Sequence, residues 1–99
     1  MINEKNLIDG IWTDGHGQDR LDVINPANGE AFATVPKASA QDVDDAINAA
    51  DRAFPEWSRL TPFKRGELLR KASLIVSERA EDIARLMTRE QGKPFAEAL

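Results

Sequence analysis

Near Ser39 the apolar residues of this chain stop alternating and begin to recur every three or four positions, a switch from the period of a strand to that of a helix. No single element spans both periods. The switch divides the 99 residues into a β-hairpin portion over 1–38 and a helical portion over 39–99, an α+β segment in which short antiparallel hairpins precede three to four helices.

The helical portion is dominated by the block from Thr61 to Pro94. Thr61 offers a hydroxyl to cap free N–H groups, and Pro62 suits the first helical position, where no N–H is needed. At 100° per residue, Leu68, Leu69, Ala72, Ile75 and Val76 form one stripe, while Phe63 and Leu74 fall on the opposite side. A helix apolar on two faces belongs inside something. The next helix puts Ala80, Ile83, Ala84 and Met87 on one line and reads as surface-lying. Gly92 can adopt the left-handed conformation that ends it, and Pro94 can begin another. Helices are therefore expected over Pro62–Ser77 and Glu78–Gln91. Phe95 to Leu99 then starts a helix far shorter than the roughly 12 residues needed for stability in isolation. The chain reads as a segment cut inside an element.

Before Ser39, Leu7-Ile8 and Ile11-Trp12-Thr13 flank Asp9-Gly10, a two-residue turn that tolerates positive φ. A second hairpin joins Leu21–Asn25 to Glu30–Val35 through Pro26-Ala27-Asn28-Gly29. Ser39 is an N-cap with Asp42 three residues on, close to a capping box. Its helix is expected over Ala40–Phe54, with Val43, Ile47, Ala50 and Phe54 on one face and Pro55 breaking it.

Composition narrows the function classes. Thirteen basic residues against seventeen acidic ones give a net charge of −4, which lacks the positive stripe a nucleic-acid surface needs. No run of about 18 apolar residues and no basic-then-apolar leader occurs, so a cytoplasmic location without a membrane partner is expected. Zero cysteines exclude a disulfide, a thiolate ligand or a cysteine nucleophile within these residues.

His16 is the only histidine and lies between two glycines, so it reads as a solvated loop residue rather than part of a triad or a histidine metal cluster. Gly92-Lys93-Pro94 is not a phosphate loop, since Met87 and Pro94 stand where a glycine and a Ser or Thr are required. Asp9, Asp14 and Asp19 lack calcium-loop spacing and read as turn chemistry. Trp12 and Trp57, each at the end of an apolar element, are expected to seal a core. Arg65 falls within the apolar stripe of its helix, where it either snorkels to water or meets a buried carboxylate. The residues themselves thus give a fold segment and no catalytic or cofactor-binding residue.

Several stretches together resemble one family: Leu7-Ile8-Asp9-Gly10-Ile11-Trp12, Asn25-Pro26-Ala27-Asn28-Gly29-Glu30, the run Ala50 to Trp57, and Glu90-Gln91-Gly92-Lys93-Pro94. They are similar to the amino-terminal portion of the NAD(P)-dependent aldehyde dehydrogenases, in the same order from about Leu7 to Leu99. Leu86 to Pro94 is most similar to the succinate-semialdehyde dehydrogenase branch. Asp9 stands where many members carry Asn or Gly.

The resemblance implies the amino-terminal part of a cofactor-binding domain, truncated at its C-terminal end, in an α/β enzyme that oxidises an aldehyde to a carboxylic acid. A cysteine thiolate attacks the aldehyde, the hemithioacetal gives hydride to NAD or NADP, and water activated by a glutamate releases the acid. None of those groups is in these residues. This chain alone is therefore expected to be inactive and to bind no cofactor, with the downstream part of the same enzyme as its partner and a homo-oligomer as the full-length form. The resemblance also implies a structural monovalent cation held by backbone carbonyls near Val23-Ile24 and by Glu90. A small helical protein-interaction module without catalytic activity is the alternative.

Overall fold

The computed structural model describes residues 1–99, an α+β arrangement of five short strands followed by four helices. The strands are β1 (Ile2–Asn3), β2 (Asn6–Ile8), β3 (Ile11–Thr13), β4 (Arg20–Asn25) and β5 (Glu30–Pro36). The helices are α1 (Ala40–Arg59), α2 (Pro62–Glu78), α3 (Ala80–Gln91) and α4 (Phe95–Ala98).

Both expected hairpins form. β2 and β3 pair antiparallel with Ile8 opposite Ile11, and Asp9 and Gly10 take φ of 54° and 72°. Two consecutive positive values match the twist of the strands they join, as a type I′ turn does. β4 and β5 form the second antiparallel pair. The hairpin portion is not wholly antiparallel, however, because β1 runs parallel to β5 and completes a sheet of order β1-β5-β4. A two-residue strand carries no alternation to read, so the pattern at Ile2-Asn3 gave no warning of it.

Helix starts follow their caps. Ser39 and Asp42 exchange reciprocal bonds in a full capping box at α1, and the Thr61 hydroxyl accepts from the Lys64 N–H at 3.2 Å to open α2. Gly92, at φ 77°, closes α3 with its N–H bonded to the Thr88 oxygen. The boundary between α2 and α3 falls at Arg79, one residue later than the expected break.

The end of α1 is a larger correction. The helix passes through Pro55 to Arg59, five residues beyond Phe54. An internal proline removes one ladder bond and costs about 3 kcal/mol. Trp57 lies three residues after Phe54 on the same stripe, so extending the helix keeps it in the apolar row begun by Val43. Arg65 resolves the end: its guanidinium donates to the Leu60 main-chain oxygen at 2.5 Å and to that of Ser58 at 3.4 Å. It neither snorkels nor pairs with a carboxylate; it satisfies carbonyls left open where the preceding helix stops.

The molecule is a slab of 48 × 35 × 15 Å, barely thicker than one helix with its side chains. Five of 99 residues are buried, and of these only Ala33 and Ala84 are core hydrophobics. Trp12 and Trp57, expected to seal a core, are 64% and 39% exposed. The opposing surface they need is not supplied by residues 1–99. α2 has no buried residue at all, which matches a helix apolar on two faces with a partner for neither.

Candidate cation site

Glu90 sits in the last turn of α3, and three contacts fix where that turn lies. A Cβ built on Gly92 would stand 3.1 Å from Pro26 Cγ, so the helix end abuts the β4–β5 turn. The Arg89 guanidinium covers the Phe32 ring at 4.3 Å, and Arg85 covers Phe95 at 4.8 Å. Ala84, fully buried, removes any side-chain bulk one and a half turns earlier.

Between α3 and the sheet lies a cleft of about 200 Å³, bordered by Ile2, Glu4, Val23, Phe32, Leu86 and Glu90. The sheet is irregular at this point. Val23 pairs with Ala33 and Ile24 with Ala31, leaving Phe32 as an extra residue in a β-bulge. A bulge interrupts the ladder and leaves main-chain groups without a strand partner. The Glu90 carboxylate forms no ion pair. A hard cation takes oxygen ligands; in this cleft Glu90 and Glu4 are the oxygen-bearing side chains, and Ile2, Val23, Phe32, Ala33, Val35 and Leu86 make the rest of the lining apolar. Both Glu4 and Glu90 are exposed at the cleft edge.

A second cluster does not fit a metal. His16, Asp42 and Asp45 each place one possible ligand atom within 4.8 Å of the others. The Asp42 carboxylate is already engaged: it accepts from the Ser39 N–H at 2.8 Å, the Ser39 hydroxyl at 2.9 Å and the His16 N–H at 2.9 Å. His16 Nε2 lies 2.8 Å from Asp45 Oδ2. A cation there would also face the positive end of the α1 dipole. His16 is thus half-exposed but not merely solvated, since its backbone and ring tie the Asp14–Asp19 loop to the start of α1.

Asp42 is 2% exposed, and the Ser39 N–H first, then the His16 N–H, hold its carboxyl below the ordinary carboxylate value. Desolvation pulls the other way, and the Ser39 hydroxyl and the imidazole charge add smaller downward pulls. A carboxyl lowered on folding stabilises the folded form above its unfolded value of about 3.9 and ceases to do so as pH falls through the lowered one. Acid titration followed by far-UV circular dichroism should show loss of helix in that window. Asp42→Asn should flatten the response, and an unchanged acid limb in that variant would remove Asp42 as its source.

The aldehyde dehydrogenase family model matches residues 12–99. Succinate-semialdehyde dehydrogenase [NADP(+)] of Escherichia coli is 45% identical over 98 residues, covering 99% of this chain and 20% of that protein. Glutarate-semialdehyde dehydrogenase of Pseudomonas aeruginosa is 43% identical over the same length and share. A crystal structure of an aldehyde dehydrogenase from Bartonella henselae superimposes on the whole chain with a TM-score of 0.96 at 36% identity, over 21% of its own length. The chain belongs to the aldehyde dehydrogenase family and spans about a fifth of the curated relatives it matches.

Family membership agrees with the resemblance read from the sequence, including its semialdehyde branch. The interaction-module alternative has no observation in its favour, because a self-sufficient module needs a core and this slab has almost none. The polar knots were missed: for Asp42 the only sequence signal was the Ser39/Asp42 spacing, and for Arg20, whose guanidinium donates to Thr34 Oγ1 and to the main-chain oxygens of Glu4 and Thr34, there was none. No helix is long and apolar enough to cross a membrane.

Proposed function

We propose that this chain is the amino-terminal scaffold of an enzyme that oxidises an aldehyde to a carboxylic acid with NAD or NADP. The observation that carries the reading is the thin, coreless slab that superimposes on one fifth of an aldehyde dehydrogenase. Such a layer stabilises and positions neighbouring chain rather than performing chemistry. Residues 1–99 are then a partial domain, the first part of a cofactor-binding domain, within a homo-oligomeric cytoplasmic enzyme. The substrate is a semialdehyde, by likeness to relatives named for the succinate and glutarate semialdehydes. Glu90, with main-chain oxygens near Val23 and Ile24, holds a structural monovalent cation. When bound, that ion neutralises the carboxylate and cross-links α3 to the sheet.

The test separates the scaffold from the chemistry. The whole protein that carries this chain should reduce NAD or NADP when given succinate or glutarate semialdehyde, read by reduced-nicotinamide absorbance. The 99-residue chain alone should do neither that nor bind dinucleotide, because it has no thiol and no glycine-rich strand-to-helix turn. Saturable micromolar binding by the chain in calorimetry, or a whole protein inert toward both semialdehydes, counts against the reading.

A further inference from the structure

β1 pairs with β5 alone, Ile2 against Ala33 and Asn3 against Thr34, and residues 1–5 are all exposed. Two residues fall well below the usual strand length of about 5–6, and so short a ladder does not hold itself in water. What β1 lies against is buried nonetheless: Ala33 and Thr34 are two of the five buried residues.

The fastening comes from the far side of the sheet. Arg20, at the start of β4, reaches past β5: its Nε donates to Thr34 Oγ1 at 2.8 Å, and one terminal nitrogen donates to the main-chain oxygens of both Glu4, at 2.6 Å, and Thr34, at 3.1 Å. The Thr34 hydroxyl in turn donates to Asn3 Oδ1 at 2.8 Å, and the Thr34 main-chain oxygen also accepts from the Glu4 N–H at 2.9 Å. Beyond the ladder itself, the bonds on Asn3 and Glu4 thus all run through Thr34 or Arg20. The other terminal nitrogen of Arg20 meets Asp14 Oδ1 at 3.1 Å, which gives the guanidinium a counterion and fixes its plane. Several donors in one rigid fork suit arginine, and a lysine cannot reproduce them.

We propose that residues 1–4 are a strap across β5 with Arg20 as its latch, so that β1 docks and releases as one unit while β4 and β5 stay paired. Segments with few contacts open locally at a lower free energy than the whole fold. Release bares the β5 edge at Ala33 and Thr34, and it takes Ile2 out of the wall of the apolar cleft between α3 and the sheet. Losing the charge-assisted bonds of one arginine shifts such an opening equilibrium about tenfold toward the open form.

The experiment is hydrogen exchange read by mass spectrometry on the whole protein that carries this chain, with and without denaturant well below its unfolding midpoint. Amides of residues 2–4 should exchange faster than those of β4 and β5, at a rate that mild denaturant leaves unchanged. Arg20→Met should speed exchange at residues 2–4 about tenfold, with Arg20→Lys nearly as poor, and leave β2–β3 and α1 as they were. Thr34→Val, which removes the hydroxyl relay and keeps the guanidinium, should give a smaller rise at the same residues and serves if Arg20→Met does not fold. Exchange of residues 2–4 only in step with β4 and β5 overturns the strap. Unmoved exchange in both Arg20→Lys and Thr34→Val, or a rise spread equally over β2–β3 and α1, overturns the latch. A whole protein inert toward aldehydes but showing the expected exchange would fail the enzymatic reading and leave the strap standing.

Discussion

Purified by itself, the 99-residue chain is expected to show no sharp thermal transition, to bind a dye that reports exposed apolar surface, and to scatter light as more than a monomer. Its radius of gyration is 16.9 Å, against about 13 Å for a compact domain of this length. Phe63 is 80% exposed, Phe54 65%, Leu69 61% and Leu74 54%. Fully burying a side chain of this size is worth about 1.5–3 kcal/mol, so four such groups in water forgo up to roughly 6–12 kcal/mol, as much as the net stability of a domain. Residual burial in the unfolded chain lowers that figure, but half of it still leaves the slab marginal. A sharp cooperative melt from a dye-free monomer would show that the slab is self-sufficient.

Gly15→Ala is expected to be the most damaging single-methyl change in the chain. Gly15 has φ of +83°, and a Cβ there would stand 2.6 Å from Asp42 Oδ2 and 2.8 Å from Asp42 Cγ. The carboxylate would have to leave the position where it binds Ser39 and His16, undoing the α1 cap and the loop tether together. Backbone strain of this kind costs about 1–3 kcal/mol and loss of a cap about 1 kcal/mol, giving roughly 2–4 kcal/mol in all. Gly29→Ala is the control, because φ is +74° there and nothing lies within 4 Å of the added carbon. Hydrogen exchange in the first turn of α1, with the thermal midpoint of the whole protein, reads the difference. Equal losses in the two variants would mean that strain alone acts and the contact with Asp42 does not matter.

Legibility followed the range of the interaction. Asp9-Gly10, the Ser39/Asp42 box, Pro62 and Gly92 each act within a few residues, and each sits where its chemistry placed it. Pro55 misled because the helix runs through it, with the apolar row continuing to Trp57 on the same face. Arg65, Arg20 and Gly15 were opaque for another reason: the carbonyls and carboxylate they meet come from other elements, and no spacing along the chain encodes such meetings. The same holds for the cleft. Glu90 entered through resemblance, while the bulge at Phe32 that gives it a setting depends on the register between two strands. Trp12 and Trp57 were read as core-sealing from their apolar neighbours, a reading that presumes a core within reach.

The parallel pairing of β1 with β5 also orders events during synthesis. Ile2 leaves the ribosome well before its partner and has none until Ala33 follows it. At about 5–20 residues per second that interval is roughly 2–6 s, ample for the β2–β3 hairpin, which closes in microseconds, to form in between. β1 is thus among the last pieces of this sheet to be placed. A pause in translation before residue 34 would act on β1 and spare the hairpin.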